Sequence, residues 1–285
     1  MPPTWLPRQM RVVMTVPLEA SSVPKARAAL WVATGATATW LGFTLTLGPF
    51  PLWLSVLSVF GYLTLCTVGV LLPRLQMYAS VISSGVLGGQ RVALTFDDGP
   101  HPDTTRRVLA ALAAGGHRAT FFVVGSKVRR YPDIAREICD QGHEVAIHGY
   151  VHARLYSLWT PGRIQRDIER ARALLEDICG VHPSLFRPPV GHVSPRTAEG
   201  ARRAGVRLVA WNVRALDGVR GASVEKVAQR VERGLSDGAI VLLHDASECD
   251  THVPAGVQVL PRILEAIEAR GLRCVTVSEL IEPAY

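Results

Sequence analysis

From Ala28 to Leu72 the chain carries no charged residue, a run of about 45 positions. One membrane-spanning helix needs roughly 20 residues, so the run is long enough for two. Gly48-Pro49-Phe50-Pro51 divides it, and Trp40 and Trp53 stand near the break, where interfacial aromatics belong. A cleavable signal peptide competes with this reading but fits poorly. The run is too long, and no small-x-small cleavage pattern follows a short core. A buried soluble hairpin also fails, because no polar stripe marks a wet face. The expectation is two membrane helices, 28–48 and 52–72, within a membrane segment 28–75. A basic segment (1–27) precedes it, and a linker (76–90) leads to a globular body over 91–282.

Charge gives this hairpin a direction. Lys25 and Arg27 precede the first span, Arg74 follows the second, and the turn between them is uncharged. The positive-inside rule then places both ends on the cytoplasmic side of an integral membrane protein. Net charge is +7, and more than half of it sits before residue 91, where Arg8, Arg11, Lys25, Arg27 and Arg74 face Glu19 alone. The body is nearly balanced and has no nucleic-acid footprint. Five widely spaced cysteines with no CxxC argue against redox chemistry. Cys139 and Cys179 fall on apolar helical stripes and read as buried thiols.

The body alternates strand and helix. Short apolar runs suited to buried parallel strands occur at Val92–Phe96, Ala119–Val124, Glu144–Ile147, Leu185–Arg187, Arg207–Trp211, Ala239–Leu243 and Cys274–Val277. Amphipathic helical stretches lie between them, at Thr104–Ala114, Lys127–Gln141, Pro161–Cys179, Ser194–Ala204, Val224–Leu235 and Ala255–Arg270. Thr160-Pro161 and Ser194-Pro195 are start signals, and Gly180 and Gly271 stand at stop positions. This alternation is an α/β pattern with a parallel sheet, open or closed into a barrel of about seven strands. In either form the chemistry belongs at the C-terminal ends of the strands.

The unusual polar residues follow strands. His148 and His152, four apart, put two imidazoles on one side of a helical turn. With a carboxylate from another strand they make a three-ligand site with an open position, the arrangement of a hydrolytic metal. The pair is weak evidence alone, and no Glu makes it an HExxH site. Asp97-Asp98 before Gly99-Pro100 reads either as a turn with a helix cap or as paired carboxylates beside a metal. In the second case one ligates and the other takes a proton from bound water.

Thr95-Phe96-Asp97-Asp98-Gly99-Pro100, followed by the histidine pair, resembles the NodB-homology polysaccharide deacetylases of carbohydrate esterase family 4, over residues 88–282. The resemblance implies a distorted (β/α) barrel and a metal-dependent hydrolase that removes an N-linked acyl group, acetyl above all, from an amino sugar. By it Asp97 is the general base, and Asp98, His148 and His152 are the metal ligands. Gly149 replaces the hydroxyl residue of the family's H-Ser/Thr-x-x-H motif. The third motif reads Arg187-Pro188-Pro189-Val190-Gly191. Arg187 then pairs with Asp97, Pro188 and Val190 form part of the substrate site, and the Val190 N–H faces the oxyanion, without the usual aromatic side chain. In Leu242-Leu243-His244, His244 is the general acid and Leu242 lines the acyl pocket. The fourth motif departs most: D-x-x-D-W has become Arg214-Ala215-Leu216-Asp217-Gly218, which leaves Asp217 to orient His244 or to cap.

The His₂Asp set points to Zn²⁺, with Co²⁺, Mn²⁺ or Ni²⁺ compatible with the ligand types. The expected partners are an N-acylated amino-sugar glycan or lipid-linked sugar and, through the N-terminal helices, the lipid of a bacterial inner membrane. A catalytically silent, membrane-tethered sugar-binding module is the alternative. Trp211 reads as barrel core, His192 as a residue near substrate, His101 as first-turn surface, and His252 has no chemical context.

Overall fold

The structure, a computed structural model, describes residues 23–46 and 51–283. Its first elements are helices α1 (Lys25–Thr46) and α2 (Leu52–Leu71). Twenty helical residues span about 30 Å, the thickness of a bilayer's hydrocarbon core. α1 buries none of its residues and α2 only Gly69, so their apolar side chains cover no protein core. The two helices pack on each other, with Thr34 Oγ1 3.1 Å from the Tyr62 hydroxyl. α1 begins earlier than expected and takes Lys25 and Arg27 into its first turn. Gly48, Pro49 and Phe50 of the expected break lie outside the described residues, as do Arg8, Arg11 and Glu19.

The body begins with strands β1 (Val81–Ile82) and β2 (Arg91–Asp97), then helix α3 (Thr104–Ala114), β3 (Thr120–Val123), and helices α4 (Gly125–Arg130) and α5 (Pro132–Asp140). β4 (Glu144–Ile147), α6 (Pro161–Cys179), β5 (Leu185–Phe186) and α7 (Pro195–Arg203) follow. The chain ends with β6 (Arg207–Val209), β7 (Val213–Arg214), α8 (Val224–Gly234), β8 (Ala239–His244), α9 (Ala255–Ala269), β9 (Arg273–Cys274) and α10 (Val277–Leu280). The strand order is β1-β6-β5-β4-β3-β2-β8-β7, with β9 added to β2, and the pairings are parallel. The stretch 207–214 closes the barrel: β6 pairs with β5 and β1, and after a three-residue step β7 pairs with β8. This is the α/β barrel, distorted at that seam, that the resemblance implies.

Nine strands stand among the described residues where seven are expected. β1 lies in the stretch expected to be linker, and β7 is the continuation of β6 across the seam. Each has two residues, too few to carry a period. β9 stops at Cys274 because Thr276 and Glu279 form a reciprocal cap that starts α10 at Val277. The helix expected over 127–141 is two helices. Tyr131, before Pro132, leaves the helical region at φ −131°, and Pro132 opens α5. Thr160 and Ser194 cap α6 and α7 by accepting from Arg163 N and Thr197 N, and Gly180 ends α6 in the left-handed conformation. Cys139 and Cys179 are half-buried rather than buried, and the cysteines among the described residues are free thiols.

Candidate active site

Strand parity decides which side chains reach the mouth of the barrel. Ala93, Phe122, Ala146, Leu185, Val209 and Ile240 pack together inside it. Val92, Leu94, Phe96, Phe121, Ile147, Phe186 and Val241 face the helices. Successive strand residues point to opposite faces. Counting by twos from the interior positions therefore reaches Asp97, His148, Arg187, Trp211, Leu242 and His244. Asp98 has the wrong parity, but its left-handed backbone (φ 73°) ends the alternation, and its carboxylate joins that of Asp97 in one cleft of about 410 Å³.

His148 is nearly fully buried, and its Nδ1 lies 2.7 Å from the Arg187 carbonyl oxygen, which can only accept. That contact fixes the tautomer and leaves the Nε2 lone pair facing the cleft. His148 Nε2 and His152 Nε2 lie 3.4 Å and 3.3 Å from one oxygen, Asp98 Oδ1. One ligand atom from each of the three residues lies within 4.8 Å of the others. Asp98 Oδ1 is buried and accepts no hydrogen bond. A buried carboxylate oxygen with no donor, between two imidazole nitrogens, fits a divalent cation. Burial opposes charge on Asp98, but the neighbouring imidazoles of His148, His244 and His152 hold its carboxyl well below the usual range.

Asp97 accepts from Arg187 Nη1 at 2.7 Å. Arg187 is completely buried, donates also to Thr95 Oγ1 and the Ala210 carbonyl, and lies 4.1 Å above the Phe122 ring. Burial lowers its pKa, and the Asp97 charge opposes that shift. Across the cleft, one carboxylate holds His244 twice: Asp217 Oδ2 accepts from His244 N at 2.8 Å, and Oδ1 lies 3.0 Å from His244 Nδ1. Burial pushes the imidazole pKa down, but Asp217, then Asp98 and Asp97, raise it to about 9.

The structure thus brings Asp97, Asp98, His148, His152, Val190, Leu242 and His244 to one cleft, with Arg187 and Asp217 buried behind it. Pro188 is the exception: it is buried and does not line the cleft. It shapes the following turn, where its carbonyl accepts from Gly191 N and Val190 takes φ 63°. Trp211, expected in the core, also lines the cleft, and it packs so closely on Gly191 that a Cβ there would lie 2.4 Å from the indole. His192 is half-buried beside the cleft rather than in it. His101 Nδ1 accepts from the backbone at the start of α3.

Arg154, Arg220, Glu248 and His252 line the cleft without any signal in the sequence, and Arg214, marked in the sequence only as a departure in the fourth motif, lines it from β7. Glu248 Oε1 lies 3.4 Å from His152 Nδ1, and its carboxylate pairs with Arg154. His252 Nε2 lies 3.1 Å from the Gly218 carbonyl. Arg154, Arg220, Glu248 and His252 sit on irregular loops after β4, β7 and β8, where no period marks them. Gly218, at the family's Trp position, lies flat on the imidazole: a Cβ there would be 3.0 Å from His244 Nδ1.

The sequence matches the polysaccharide deacetylase family over residues 85–209. It is 35% identical over 193 residues to a peptidoglycan-N-acetylglucosamine deacetylase of Bacillus cereus, an alignment that covers 67% of this chain and 87% of the relative. The crystal structure of a peptidoglycan N-acetylglucosamine deacetylase, Bc1960, superposes with TM-score 0.66 at 26% identity, covering 71% of this chain and 92% of that one. A family 4 acetyl xylan esterase from Clostridium thermocellum, in complex with a cobalt ion, superposes with TM-score 0.59 at 32% identity, covering 66% and 89%. By its motifs, its barrel and these relatives, the chain belongs to the NodB-homology polysaccharide deacetylases of carbohydrate esterase family 4.

Proposed function

We propose that this protein is a membrane-anchored, metal-dependent deacetylase that hydrolyses the N-acyl group, acetyl above all, of an amino sugar in a glycan or on a lipid. The observation that carries the reading is the unpartnered Asp98 Oδ1 between two histidine Nε2 atoms, one residue from a carboxylate clamped by a buried arginine. Asp98, His148 and His152 hold the ion, with Zn²⁺ the first choice and Co²⁺, Mn²⁺ or Ni²⁺ also suited to the donors. When bound, it supplies Lewis acidity toward the acyl oxygen and acidifies water. The cobalt ion bound to the Clostridium thermocellum esterase supports this part of the reading.

The chain's own groups do the rest. Asp97, held in place by Arg187, takes the proton of the attacking water. The Val190 N–H donates to the developing oxyanion, and Leu242 walls the acyl group. His244 carries a proton on its imidazolium, stabilised by Asp217, and gives it to the departing amine. Acetate and the free amino sugar are the products. α1 and α2 are the anchor in the bacterial inner membrane, and the charges of Lys25, Arg27 and Arg74 favour its cytoplasmic side for the barrel. There the substrate is a lipid-linked sugar rather than an assembled wall polymer.

The test uses the full chain in detergent with a chitooligosaccharide as probe, and it reads metal content beside acetate release. Asp97→Asn keeps the metal and loses about 10²-fold or more in rate. His148→Ala loses both. Full metal occupancy in His148→Ala overturns the ligand set, and sugar retention without acetate release would return the silent module to first place.

A further inference from the structure

The cleft carries charge that the hydrolytic machinery does not use. Its three lining carboxylates are each engaged: Asp97 by Arg187, Asp98 by the two histidines, and Glu248 by Arg154. Arg214 and Arg220 also line it, both exposed, and neither makes an ion pair among the described residues. Arg214 stands where the family pattern has an acid. It is fixed at the rim, since β7 pairs it with Leu242, two residues before His244, and its guanidinium lies 5.9 Å from the Trp211 ring centroid. Two unbalanced guanidiniums over a sugar-sized cleft, joined by a bound divalent cation, favour a substrate with an anionic group. A neutral polymer offers them nothing.

The surroundings give the source of that anion. Val190, Leu216 and Val219 line the same cleft and are 43%, 37% and 62% exposed, an apolar rim beside the two arginines. Val193, just past the Pro188–Gly191 turn, donates its N–H to the carbonyl of Val70 in the last turn of α2 at 3.2 Å. The catalytic face of the barrel is therefore joined to the end of an apolar helix long enough to cross a bilayer. An apolar rim, a pair of arginines and an adjoining membrane helix match a sugar whose phosphate ester continues into a lipid.

We propose that Arg214 and Arg220 form a phosphate subsite that selects amino sugars carried on a lipid phosphate. The inference rests on the lipid-linked reading above and gives it a specificity element. Its test is binding, independent of turnover. The full chain in phosphatidylcholine nanodiscs is titrated with N-acetylglucosamine, N-acetylglucosamine 1-phosphate, inorganic phosphate, and N-acetylglucosaminyl phosphate on a long polyprenyl chain. The phosphorylated sugar is expected to bind about tenfold or more tighter than the neutral one, and R214Q/R220Q to close that gap. Both side chains are exposed and neither makes an ion pair among the described residues, so the melting temperature of the double variant stays that of the parent, and R220Q alone gives a smaller loss. Equal affinities, or a gap that survives in the double variant as phosphate held by the metal would give, overturn the subsite. Inorganic phosphate competing as well as the sugar phosphate overturns its role in sugar recognition. The lipid-borne ester competes more strongly than the soluble one; weaker competition overturns the lipid source. Acetate release from the chitooligosaccharide is scored separately, so the hydrolase reading stands or falls by itself.

Discussion

At the scale of single residues, the altered fourth motif keeps the one carboxylate that matters for His244. Asp217 accepts from both the backbone and the ring of that residue, and Gly218 leaves room for the loop to lie against the imidazole. The pKa of about 9 means that the ring is protonated in the folded protein across neutral pH. A general acid works only below its pKa, so kcat/KM falls as pH rises through that range, and a bound cation nearby moves the fall to lower pH. In Asp217→Asn the stabilising charge is gone and the proton is lost earlier. The expected result is an alkaline limb displaced toward acid, with Asp217→Glu restoring part of it. A pH–rate profile with an unmoved limb would show that His244 is not the group that titrates. Asp217 is legible in the sequence because it is the only acid left in its motif. Glu248 and His252 are not, because each acquires its role from a partner on another loop, His152 and Gly218 respectively.

At the scale of elements, the period of two along the strands places most of the site. Ala93, Phe122, Ala146, Leu185, Val209 and Ile240 are recognisable as strand residues from sequence, and their parity carries Asp97, His148, Arg187, Trp211 and His244 to the mouth. Trp211 is missed when the apolar run is read without that parity. The loop carrying the histidines depends on a helix instead. Asp167 of α6 accepts from Tyr150 N at 2.8 Å and from the Tyr156 hydroxyl at 3.1 Å. Gly149 has φ 83°, and a Cβ there would lie 2.9 Å from Asp167 Oδ2. The half-buried Asp167 carboxylate thus occupies the space that a side chain at position 149 would need. Asp167→Ala strands two donors and costs about 1–3 kcal/mol of stability, with metal affinity lower by roughly 10–100-fold as the loop loosens. Gly149→Ser alone, although it restores the family residue, is also expected to weaken metal binding, because the backbone is left-handed and the space is taken. Calorimetric metal titration and thermal melting check both variants; a Gly149→Ser protein with unchanged affinity would separate the two residues.

At the scale of the whole molecule, the barrel does not hang from its helices on a free tether. Gly69 is buried, with Met77 against it, the Tyr78 hydroxyl donates to the Cys66 carbonyl, Arg27 donates to the Gln76 carbonyl, and Val193 bonds to Val70. The helices' existence is legible in the uncharged run. Their attachment is not, since it runs through backbone carbonyls and scattered side chains that carry no pattern. This docking fixes the catalytic mouth relative to α2, so the side of the membrane on which Arg74 lies decides which sugars the cleft can meet. Lys25 and Arg27 open α1, Arg74 follows α2, and the connecting turn is uncharged. The positive-inside bias counts such residues close to the ends of the spans. It predicts that a reporter fused after Tyr285 is active in the cytoplasm and silent in the periplasm. Reversal of the signal, by contrast, would put the barrel outside, where acceptors on the assembled wall are within reach. Adding basic residues to the turn between the helices while replacing Lys25, Arg27 and Arg74 by Gln is expected to drive the reporter to the periplasmic side. If that change leaves the reporter where it was, the docking of the barrel against α2, and not charge, holds the orientation.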